Sequence, residues 1–143
     1  MAVRIIVAAL VICAAATPAM AQSCGSTPIA PALPSVAEIA KKPPADAAAA
    51  KHDAFAEIKN WQADLKTYRT CSTNIINQDK QQLATLDKDK KPELFAHLRD
   101  EASAADRGFN DSVNMEERVV NEFHAIQAAY CARTDVDKSS CPK

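Results

Sequence analysis

The chain has 143 residues, with 17 basic and 18 acidic side chains and a formal net charge of −1. That balance argues against a nucleic-acid binder, which would show a basic face, and gives no polybasic membrane signal. The length is one domain's worth. With 2 glycines in all, Gly25 and Gly108, the chain lacks the turns of an all-β fold and is expected to be helical.

Arg4 is the first charge, and the next basic residue is Lys41. The apolar run between Ile5 and Ala16 is too short to span ~30 Å of hydrocarbon comfortably as a helix. Thr17-Pro18 breaks it, and Ala19-Met20-Ala21 places small residues where a signal peptidase reads. Residues 1–21 therefore read as a secretory signal peptide cut between Ala21 and Gln22. Two other fates are disfavoured. An uncleaved anchor conflicts with the short run, and acylation of Cys24 conflicts with Ala21 standing where such sites usually carry Leu. The expected mature protein is periplasmic or secreted and inserts in no membrane. It has 122 residues (143 − 21) and, once Arg4 is removed, a formal charge of −2.

Cys13 leaves with the leader. Cys24, Cys71, Cys131 and Cys141 remain, an even number that in an exported chain reads as two disulfides with three possible connectivities. No pair has the short spacing of a structural zinc site.

Residues 22–44 carry Pro28, Pro31, Pro34, Pro43 and Pro44 and read as an extended arm, with Ser35 to Lys41 patterned as a brief helical turn. Pro44 suits the first turn of a helix, and Ala45–Lys51 has high helix propensity. Ile58, Trp61, Leu65 and Tyr68 then recur at three-four spacing; Phe55 precedes them, and Ile75, Leu83 and Leu86 follow less regularly. This predicts a helix over about 45–88, with a kink near Ser72-Thr73-Asn74. The charged break before Pro92 ends it. A second stripe runs through Phe95, Leu98, Ala102, Ala105 and Phe109. It resumes in phase at Val119, Phe123, Ile126 and Tyr130, which favours one helix despite Gly108. A polar tail, 134–143, follows the hairpin domain of residues 45–133.

The expected fold is thus all-α: a long antiparallel helical hairpin with an extended Pro-rich N-terminal arm and two disulfides. With the turn near residue 90, facing residues sum to roughly 180. Trp61 then meets Val119, and Ile58 meets Phe123. Cys71 and Cys131 lie far apart along such a hairpin. From Pro44 to Cys71 the helix rises about 40 Å at ~1.5 Å per residue, and the arm from Cys24 reaches about 60 Å if extended. It can fold back, so the pairing expected is Cys24–Cys71 with Cys131–Cys141 closing a local loop.

Cys24 with Pro28, Pro31 and Leu33-Pro34, then Tyr68-x-x-Cys71, Phe109-Asn110-Asp111-Ser112-Val113 and Glu122-Phe123, resembles a group of small exported proteins of Gram-negative bacteria. The resemblance implies a periplasmic address and a Cys24–Cys71 pairing, with Cys131 and Cys141 an addition to the pattern. It carries no activity with it.

No nucleophile elbow, H-E-x-x-H, haem-attachment or phosphate-loop motif is present, and no catalytic, cofactor or metal residue is assigned. His52 and His124 come near each other on the hairpin register; a metal or small ligand held by them is the alternative to solvated surface histidines. His97 has no evident partner. Glu116 falls on the seam, facing a polar group such as Ser72 or marking a bend. The stripe Ile58, Trp61, Leu65, Tyr68, Val119 and Phe123 is the expected core, or else a face for a partner helix. The leading functional expectation is a non-enzymatic protein-binding or structural protein, with an unknown protein or a second copy as partner. Further behind stands an envelope enzyme inhibitor, with Asp87 to Lys91 as its reach.

Overall fold

The computed structural model describes residues 23–142; the expected cleavage site at Ala21 and Gln22 lies outside them. Three helices and no strand occur among the described residues: α1 (Val36–Lys41), α2 (Pro44–Thr85) and α3 (Pro92–Ala132). The two long helices form the hairpin, each about 60 Å long at ~1.5 Å per residue. Both begin on a proline in the first turn, where a missing N–H costs nothing. α2 runs unbroken through Ser72-Thr73-Asn74 and ends at Thr85, three residues short of expectation. In the connection, the Asp87 carboxylate accepts the N–H groups of Asp89 and Lys90. The Lys90 ammonium at 3.1 Å, and after it these backbone bonds, hold the Asp87 carboxyl below its ordinary range.

α3 is also continuous, and its one glycine has a packing reason. A β-carbon at Gly108 would overlap the Tyr68 hydroxyl on the facing helix. Tyr68 lies over this gap half-buried, so it is not part of the core as expected.

The core has two centres. Ala54, Ile58, Trp61, Leu65, Val119 and Phe123 form one cluster, with Ala30 and Leu33 of the arm packed on it. The residues that the register pairs, Trp61 with Val119 and Ile58 with Phe123, fall in this one cluster. Trp61 also donates its indole N–H to the Pro28 carbonyl at 3.2 Å. The arm is thus a third layer over the hairpin, anchored at its tip by Cys24–Cys71. The second centre, Ile39, Ala47, Ile126 and Tyr130, lies at the open end of the hairpin, where Cys131–Cys141 folds the tail back.

α1 is the helical turn within the arm. Ser35 caps it: its hydroxyl accepts the Glu38 N–H at 3.2 Å, and Glu38 accepts the Ser35 N–H at 2.6 Å. Its far end is closed by Arg133, which donates to the carbonyls of Ile39 (2.7 Å) and Lys42 (2.8 Å). Carbonyls at a helix end have no partner within the helix. Asp135 in turn holds the guanidinium at 2.8 Å.

Candidate functional site

A concavity of about 570 Å³ lies between α2 and α3 near the open end of the hairpin. Phe55, Ile58, Val120 and Phe123 provide its apolar surface. Phe55 leans on Phe123 with ring centroids 5.7 Å apart, yet stays 47 % exposed. Lys51, His52 and Lys59 from α2, His124 and Gln127 from α3, and Ser140 from the tail complete the wall; no carboxylate is among its lining residues.

Lys51 is the unusual member. It is 8 % exposed, an uncommon degree of burial for a lysine. Its ammonium donates to the Ser140 hydroxyl at 2.6 Å and sits 4.2 Å from the centre of the Tyr130 ring. Burial pushes its pKa down, and the charge of Asp137 partly opposes this. Ala47, Lys51, Ala54, Ile58, Trp61 and Leu65 share one three-four spacing, and all are buried. That spacing is the sequence signal for Lys51, a lysine on the buried stripe.

His52 and His124 both border the groove, as their register suggests, and both are exposed. Among the described residues, no group of three His, Cys, Asp or Glu side chains comes together to hold a metal ion. His97 has a partner after all: Glu101, one turn on, at 3.5 Å.

Beyond the groove the seam turns polar. Arg69 donates to the Ser112 hydroxyl and carbonyl, both at 2.7 Å, and pairs with the Glu116 carboxylate at 2.5 Å. Gln62 donates to the other Glu116 oxygen at 2.7 Å. Glu116 thus meets Arg69 and Gln62 rather than Ser72, and α3 continues through it. Hydrogen bonding from Arg69, then from Gln62, outweighs partial burial and lowers its pKa. Ser72 instead bonds back to the Tyr68 carbonyl at 3.1 Å. Nearer the hairpin tip, Asp79 is buried with one carboxylate oxygen unpaired. Burial, then repulsion from Glu101, raises its pKa, with His97 opposing.

Comparison of the chain with family models, curated proteins and solved structures finds no match.

Proposed function

We propose that this chain is a non-enzymatic binding protein of the bacterial periplasm, and that the groove between α2 and α3 is its binding surface. The compartment rests on the leader-like residues 1–21 and on the resemblance to small exported proteins. Two disulfides suit folding in an oxidising space. Among the described residues, no helix is long and apolar enough to cross a membrane.

The observation that carries the binding reading is the cavity itself. About 570 Å³ falls within the range of small-molecule sites, mostly apolar with a few convergent polar groups. A protein partner or a second copy would use the same surface, with Phe55 as its apolar anchor. The concave shape favours a ligand over a flat helix face. His52 and His124 belong to this site as polar rim.

Binding of the neutral dye Nile red tests the reading. The full-length protein should enhance its fluorescence, and a Phe55→Asp variant with unchanged helicity should not. Equal enhancement by both proteins places the apolar site elsewhere. Light scattering on the same samples addresses self-association: a dimer that Phe55→Asp splits, without dye binding by either form, replaces the ligand by a second copy.

A further inference from the structure

The groove combines an apolar surface with basic residues, although the expected mature chain is net acidic. Two lysines and two histidines stand along it, and no carboxylate is among its lining residues. At one end Lys51 is held in place by Tyr130 and Ser140 rather than by an acid. Among the described residues, no carboxylate forms an ion pair with it within 4 Å. An ammonium has three donors, and one is used on Ser140. From Lys51 the apolar surface continues past Phe55 and Ile58 to Gln62, about 16 Å along α2 at ~1.5 Å per residue. That is about the length of an extended medium-chain acyl group.

We infer that the groove takes a free fatty acid, its acyl chain laid against Phe55, Ile58, Val120 and Phe123 and its carboxylate met by Lys51. This deepens the proposed function and rests on it. The apolar surface recognises the chain non-directionally, through area removed from water. The lysine supplies the polarity of the site. A carboxylate accepts its charge-assisted hydrogen bonds in a place where water is partly excluded, so opposite charge counts for more than on an open surface. An uncharged amphiphile gains only the first contribution, and a cationic one is repelled. Lys59 at the rim adds to the same bias. A divalent metal fits less well, because among the described residues no third ligating side chain joins His52 and His124, and two lysine ammoniums stand beside them.

Calorimetric titration with four twelve-carbon amphiphiles below their micellar concentrations tests this on the full mature chain. Laurate is expected to bind at least about ten times more tightly than dodecyl maltoside, and dodecyltrimethylammonium more weakly than either. Lys51→Met, which keeps the stem and removes the charge, should cost laurate about tenfold or more and leave dodecyl maltoside unchanged. If Lys51→Met fails to fold, Gln127→Glu serves. It is nearly isosteric and places a negative charge on the wall, and it should weaken laurate while sparing the maltoside. Dodecyl phosphate binding with laurate excluded overturns the fatty-acid assignment in favour of a phosphate headgroup. Equal affinity for laurate, maltoside and the cation removes the head-group inference and leaves the groove as an unselective apolar site. No binding by any amphiphile, with Nile red also silent, removes both.

Discussion

Replacing Cys24 and Cys71 together by Ser releases the tip of the arm. The closed loop spans 47 residues, and the chain-entropy relation then gives the bond a contribution of about 4 kcal/mol. The Cys131–Cys141 loop spans 10 residues and gives about 3 kcal/mol by the same relation. Four kcal/mol is a large share of the ~5–15 kcal/mol that holds a typical domain. It corresponds to a fall in Tm of about 12–20 °C for a chain of this size. The arm also covers the apolar cluster around Trp61, the chain's 1 tryptophan. Without its disulfide, the stretch of the arm before α1 is held by the Pro28–Trp61 hydrogen bond and by Ala30 and Leu33. Urea titration followed by Trp61 emission and by far-ultraviolet circular dichroism reads both effects. The Cys24/Cys71 variant should red-shift Trp61 at low urea, before helicity is lost. The Cys131/Cys141 variant should lose stability without that early shift. If the two variants lose stability equally and Trp61 stays shielded in both, the arm is not the third layer described above.

Other outcomes follow from the polar seam and the one tight helix contact. Glu116→Ala leaves Arg69 partly buried and short of its carboxylate, and should cost about 1–3 kcal/mol in chemical denaturation; Glu116→Gln, which keeps an acceptor, should cost less. Because the folded pKa of Glu116 is lowered, its stabilisation is present above the ordinary carboxylate range and is lost as pH falls through the folded value. Asp79 has the opposite sign: its raised folded pKa means that its proton stabilises the fold, an effect lost as pH rises through that value. Asp79→Asn should therefore raise Tm at pH 7 and flatten the rise in stability on mild acidification; a lower Tm would show that the carboxylate is favourably solvated. Gly108→Ala should destabilise although Ala is the better helix former by about 1 kcal/mol, since its methyl displaces Tyr68. In a Tyr68→Ala background the same change should stabilise, and a double-mutant cycle without coupling would refute the contact.

Much of the architecture was legible from patterns within single helices. The three-four recurrence of Ile58, Trp61 and Leu65 and of Val119, Phe123 and Ile126 specifies two stripes, and Pro44 and Pro92 mark where their helices begin. The break before Pro92 sets the register, and the register with the arm's reach points to the disulfide pairing that the structure shows. The polar partners were less legible, because they depend on which neighbour a long side chain reaches. The sequence pattern offers Glu116 a polar partner such as Ser72, or a bend, and does not single out Arg69. The guanidinium of Arg69 spans the seam to bond Ser112 and Glu116 together, leaving Ser72 to its own helix.

By itself, the sequence determined two amphipathic helices, their turn and the cysteines able to meet, since periodicity and chain length are one-dimensional properties. Only the tertiary structure decided that Lys51 lies buried beside Tyr130, that Gly108 makes room for Tyr68, and that a basic-rimmed groove opens at the hairpin's free end. Each of these depends on how closely two helices and a folded-back tail approach one another. That distance is set by side-chain volumes from three distant parts of the chain at once, and no local pattern contains it.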